Sequence, residues 1–139
     1  MEDSRRLNIL LVDDDDIDVM NVRRAFDKGR IANPLFIAND GEEALEMLRG
    51  SEFPRERRLV LLDINMPRMS GIEFLRIVRA DPALKGLVVV VLTTSDDERD
   101  RLEAFELNVA GYLLKPVTLT AFIETMAALQ KYWQLVEFP

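Results

Sequence analysis

The sequence predicts an α/β domain: five parallel strands in one doubly wound sheet, covered by helices on both faces. Three observations predict it. Short runs of Leu, Ile and Val recur without polar alternation, as strands buried on both faces do. Segments with helical spacing of apolar residues separate them, so strands and helices alternate one for one. Polar residues of chemical interest stand at the ends of the runs, where open parallel sheets carry their sites. The 139 residues suit one domain, and 48% apolar content supplies a core. The expected domain covers 1–131, followed by a short tail at 132–139 and no output domain.

The first run, 7–12 (LNILLV), is strand one. From 17 to about 28 the apolar residues Ile17, Met20, Ala25 and Phe26 recur among polar ones, as on an amphipathic helix. Strand two is 34–38 (PLFIA); the helix at 40–50 has Asp40 to cap it and Gly50 to end it. Strand three is 58–63, and the next helix, 71–80, stops at Asp81-Pro82. Strand four is 87–94 (LVVVVLTT), with a helix at 96–108; strand five is 111–115. The last helix, 118–133, presents Leu119, Phe122, Ile123, Met126 and Leu129 on one side.

Composition excludes several functions. Without cysteine there are no disulfides or zinc-thiolate sites. Without histidine there is no His-dependent hydrolysis, His-ligated metal or phosphohistidine on this chain. A net charge of −7 argues against nucleic acid, which needs a basic face. The densest basic stretch, Arg55, Arg57 and Arg58, is interrupted by Glu56 and reads as a solvated loop. The start MEDSRRLN lacks an apolar signal core, and no apolar run is long enough to span a membrane. The expectation is a cytoplasmic protein.

The stretch 10–19, LLVDDDDIDV, places Asp13, Asp14, Asp15, Asp16 and Asp18 directly behind strand one. Carboxylates this close need a neutralising partner. Strand three ends in Asp63, strand four in Thr93-Thr94, and strand five in Lys115-Pro116, so all face one sheet edge. Clustered carboxylates suit a hard cation such as Mg²⁺, which takes oxygen ligands and keeps some waters. The candidate ligands are Asp14 and Asp63, Asp13 directly or through water, and the backbone carbonyl of Asn65. A carboxylate also attacks phosphorus, and the charge that develops there calls for cations and donors. Asp63 is the candidate nucleophile, with the Lys115 ammonium and the Thr93 hydroxyl as partners. Asp15, Asp16 and Asp18 open the first helix, where the helix dipole favours negative charge, and are read as capping residues. A calcium loop on Asp14, Asp16 and Asp18 fails, because its glycine falls on Val19 and its closing Glu on Ala25.

In order and spacing, LLVDD, LLDINMPRMSG, VVVLTTS and GYLLKP resemble the landmarks of response-regulator receiver domains over about 8–130. The resemblance implies the flavodoxin-like (βα)5 fold with strand order 2-1-3-4-5. It implies that Asp13 and Asp14 are the metal-binding acid pair and Asp63 the phosphoacceptor. Thr93 and Lys115 would contact the phosphoryl group, and Thr93 and Tyr112 would form the switch. Met66-Pro67 and Gly71 match the loop after the acceptor, and Lys115-Pro116 resembles the family's cis peptide bond. The implied cofactor is Mg²⁺, replaceable by Mn²⁺ or Ca²⁺. The implied partner is a sensor histidine kinase that presents a phosphohistidine, in keeping with a chain that has none.

VDDDDID, VVVLTTSDDERD and YWQLVEFP resemble single-domain regulators paired with bacterial and cyanobacterial phytochromes. That subgroup implies a phytochrome partner and a homodimer. The tail residues Tyr132, Trp133, Leu135, Val136 and Phe138 are expected beyond the last helix, folded back or against a second subunit. Thr94 stands where the family often has a smaller residue, which predicts slower hydrolysis. Asn65 and Ser95 occupy positions where the family tunes phosphoryl lifetime, and the 49–58 loop is longer than in minimal receivers. Two rivals compete. An Asp-nucleophile phosphatase of the haloacid-dehalogenase type would leave Asp63 without a role. An interaction domain working without phosphorylation would not need Asp13, Asp14, Asp63, Thr93 and Lys115 together.

Overall fold

The computed structural model describes residues 6–116, 118–135 and 138. Strands β1 (Asn8–Val12), β2 (Leu35–Ala38), β3 (Arg58–Leu62), β4 (Val88–Thr93) and β5 (Gly111–Leu114) alternate with helices. These are α1 (Asp16–Lys28), α2 (Gly41–Arg49), α3 (Gly71–Ala80), α4 (Glu98–Glu106) and α5 (Leu119–Leu135). The strands form one sheet in the order β2-β1-β3-β4-β5, and each neighbouring pair is parallel. The chain turns direction between β1 and β3, which leaves a crevice at their carboxyl ends.

Alternate residues of each strand enter two separate cores, which is why the runs show no alternation. Leu10, Val12, Val60, Leu62, Val89 and Val91 face α2, α3 and α4, where Leu48, Phe74 and Leu75 are buried. Ile9, Leu11, Leu59, Leu61, Val90 and Leu92 face α1 and α5, where Val22, Phe26, Phe122 and Met126 are buried. Burying each large side chain contributes about 1.5–3 kcal/mol against the entropy of ordering the chain.

The Asp40 cap is where the sequence placed it, and Ser70 and Asp97 cap two further helices. Asp40 accepts the Glu43 N–H at 2.8 Å, Ser70 accepts the Glu73 N–H, and Asp97 accepts the Arg99 N–H. Three expectations change. The inner face of α1 is Val22, Ala25 and Phe26, whereas Ile17 and Met20 are exposed. Packing of α1 against β1, β3 and α5, not its apolar count, selects that face. Helix α5 runs on to Leu135, across the expected 131/132 limit, and Trp133 is buried against Phe26 with ring centroids 6.5 Å apart. Half-buried Phe138 packs on the same core, Tyr132 and Leu135 are exposed, and Val136 lies outside the described residues. Last, no described peptide bond is cis, so Lys115–Pro116 is trans.

Candidate functional site

The sheet ladder itself sets the site. One residue past each strand, the Asp13 N–H donates to the Ala38 carbonyl (3.1 Å) and the Asp63 N–H to the Val12 carbonyl (3.0 Å). The Lys115 N–H donates to the Thr93 carbonyl at 2.8 Å. The backbones of four strands thereby aim Asp13, Asp63, Thr93 and Lys115 at one point. Asp13, Asp63 and Thr93 are buried, and the Lys115 side chain is only 4% exposed.

Asp63 is held from both sides. Its Oδ1 accepts the Thr93 hydroxyl at 2.7 Å and the Asn65 N–H at 3.3 Å, while Oδ2 accepts the Lys115 ammonium at 3.3 Å. Behind it the chain turns so tightly that a Cβ on Gly71 would lie 2.4 Å from the Asp63 carbonyl oxygen. Gly71 donates its N–H to the Ile64 carbonyl there, and no larger residue fits. Burial pushes the Asp13 carboxyl up to about 6, partly offset by its hydrogen bonds to Lys115 and to the Asp15 N–H. Burial alone would lower the Lys115 pKa, but its bonds to Asp13 and Asp18 outweigh this and raise it.

One carboxylate oxygen from each of Asp13, Asp14 and Asp63 lies within 4.8 Å of the others, and Asp14 is exposed to solvent. Two buried acids and an open third bring three carboxylates close together at one point. Those residues fit a hard divalent cation. Asp15 caps α1 through the Ile17 and Asp18 N–H groups, as its sequence position predicts. Asp18 does not behave as a cap: its Oδ2 accepts the Lys115 ammonium at 2.6 Å. No sequence signal pairs residues 97 positions apart. The only hint was that the first turn of α1 opens directly from the acid pair.

A second chain of contacts leads away from Asp63. Thr93 Oγ1 accepts the Ser95 N–H at 3.2 Å, and the Ser95 carbonyl accepts the Tyr112 hydroxyl at 2.7 Å. Ser95 Oγ donates to Asp100 in α4 at 2.8 Å. Burial raises the Tyr112 pKa, so its hydroxyl stays a proton donor in this contact. Thr93 and Tyr112 are thereby linked through Ser95, whose part in joining them the sequence did not reveal. Thr94 is exposed beside them.

A parallel five-stranded sheet with an acid cluster, a hydroxyl and a lysine converging at its carboxyl edge defines a phosphoacceptor class of signalling domain. Residues 9–127 match the model of the response regulator receiver domain, and the chain belongs to that family. It is 35% identical to response regulator Rcp1 of Synechocystis sp., over 90% of this chain and 87% of that one. It is 34% identical to the probable methanogenesis regulatory protein FilR2 of Methanothrix harundinacea, over 90% of this chain and 82% of that one. The phosphorylated cyanobacterial phytochrome response regulator RcpA superposes with a TM-score of 0.84 at 30% identity, covering 96% of this chain and 99% of its own. The Mn²⁺-bound form of Rcp1 superposes at 0.81 with 34% identity, over 96% and 99% of the two chains. This is a receiver of a two-component phosphorelay.

Proposed function

We propose that Asp63 accepts a phosphoryl group from the phosphohistidine of a sensor histidine kinase. A carboxylate oxygen of Asp63 attacks phosphorus, the P–N bond breaks, and its electron pair stays on the kinase imidazole. The product on this chain is an acyl phosphate. One observation carries the reading: Asp63 sits buried between the Thr93 hydroxyl and the Lys115 ammonium, beside two further acids. Asp13, Asp14, Asp63 and the Asn65 carbonyl would hold Mg²⁺, for which Mn²⁺ or Ca²⁺ substitutes. A cation held there would supply positive charge that offsets the repulsion between these acids and an incoming phosphoryl group. Lys115 and Thr93 then bind two of those oxygens, and Thr93 leaves its bond to Asp63 to do so.

Movement of Thr93 disturbs Ser95, and with it the Tyr112 and Asp100 contacts, so a local charge event reaches α4 and β5. The output is altered protein contact, and catalysis is limited to self-phosphorylation and slow loss of the group. Similarity to Rcp1 and RcpA supports a phytochrome-type kinase as donor. Exposed Ile17 and Met20 on α1 give that partner an apolar foothold beside the acid pair. Exposed Leu102, Phe105 and Leu114, with Tyr132 and Leu135, support a homodimer. No described helix is long and apolar enough to cross a membrane, in keeping with work in the cytoplasm.

The test is incubation with a small-molecule phosphodonor, with and without Mg²⁺, followed by intact mass and light scattering. The expected result is a metal-dependent gain of one phosphoryl group that Asp63→Asn abolishes. Uptake that survives Asp63→Asn removes the assignment. No uptake by folded, Mg²⁺-binding protein favours the interaction domain that works without phosphorylation.

A further inference from the structure

Lys115 has three N–H donors and three carboxylate partners: Asp13 at 2.7 Å, Asp18 at 2.6 Å and Asp63 at 3.3 Å. Two of those partners, Asp13 and Asp63, belong to the group of acids able to hold a cation. Asp18 does not. Lys115 therefore competes with any cation for two of its three carboxylates. Two cations sharing one carboxylate repel each other. The ammonium cannot escape to solvent, since its side chain is 4% exposed. One partner lies outside the cation's reach, and it makes the shortest of the three contacts.

We propose that Asp18 is the positioning residue for Lys115: it takes the ammonium off Asp13 and Asp63 when a divalent cation binds them. The ammonium then stays at the rim of the site, in place for a phosphoryl oxygen, without opposing the cation. Asp18 is suited to this because its place in the first turn of α1 is fixed by the Asp15 cap. Its side chain is 23% exposed, which leaves it open to water. The α1 dipole stabilises its charge when the ammonium is shared elsewhere. Helix α1 and the segment just past β5 are thus tied by a contact the cation does not compete for.

The inference rests on the cation-binding reading above, and calorimetric Mg²⁺ titration separates the two. Absence of Mg²⁺ binding by the unaltered chain overturns the cation-binding reading itself. Given that binding, Asp18→Asn is expected to weaken Mg²⁺ affinity about tenfold, while Asp18→Glu, which keeps the charge, stays within about threefold. The decisive arm is a double-mutant cycle with Lys115→Met. Without the ammonium there is nothing to reposition, so adding Asp18→Asn is expected to change affinity less than about twofold. Lys115→Gln serves the same arm if Lys115→Met does not fold. An equal loss in both backgrounds would mean that Asp18 acts only through its long-range charge, and would overturn the proposal. So would an unchanged affinity in Asp18→Asn.

Discussion

The two ends of the sheet both hold cations, and they partner them in opposite ways. At the carboxyl edge the Lys115 ammonium meets three carboxylates, two of which, Asp13 and Asp63, also belong to the group able to hold a cation. At the amino edge Arg79 donates to the backbone carbonyls of Leu107, Lys85, Leu87 and Asn108. Arg58 similarly donates to the carbonyls of Pro54, Leu48 and Phe53, and its guanidinium lies 5.1 Å from the Phe53 ring centroid. A backbone carbonyl cannot change charge, bind a phosphoryl group or be drawn away without unfolding a loop. Carboxylates can be drawn to another cation. The amino edge is therefore a fixed fastening, and the carboxyl edge holds a balance of charges that an incoming ion or anion upsets.

That contrast is open to direct attack. Lys115→Met leaves buried carboxylates without their cation and should cost the metal-free chain about 3–5 kcal/mol in urea unfolding. Added Mg²⁺ should recover more stability in this variant than in the unaltered chain, because the ammonium no longer contests Asp13 and Asp63. Equal recovery would mean that the edge is not a contested balance.

Arg79→Met should cost somewhat less, about 2–4 kcal/mol, since it removes the bonds to the part-buried Leu107 and Leu87 carbonyls. Its loss should not be repaired by Mg²⁺, and phosphoryl uptake by the folded fraction should be unchanged. Metal rescue of Arg79→Met would erase the distinction between the edges.

A smaller effect follows from Asp13. Its carboxyl is raised to about 6, above the usual 3.8, so the folded chain holds this proton more tightly than the unfolded one. Stability from this group is therefore present at low pH and lost as pH rises through about 6. In chelator, the melting temperature of the unaltered chain should rise relative to Asp13→Asn as pH falls from about 7 to about 5. A difference that stays flat over this range would remove Asp13 as the titrating group.

The smallest effect marks the surface between the two edges. Arg76 pairs with Glu103 to join α3 and α4, but the side chains are 58% and 38% exposed. Arg76→Ala should move stability by less than about 1 kcal/mol, and a larger loss in urea unfolding would show that this pair is a real fastening.

By itself the sequence determined the five βα units, the parallel sheet, the cap at Asp40, and the residues at the strand ends. It could do so because each depends on short-range rules: apolar runs, helical spacing, and a side chain's ability to reach a neighbouring N–H. Asp13, Asp14, Asp63, Thr93 and Lys115 were legible as a set because a parallel sheet sends every strand end to one edge. Only the tertiary structure decided that Asp18 belongs with Lys115 and that Ser95 joins Thr93 to Tyr112. It alone placed Trp133 in the core against Phe26 and left Ile17 and Met20 in solvent. These outcomes turn on how α1 and α5 lie against each other and on contacts between residues far apart in the chain. Periodicity fixes which residues share a helix face, but the packing partner fixes which face is buried.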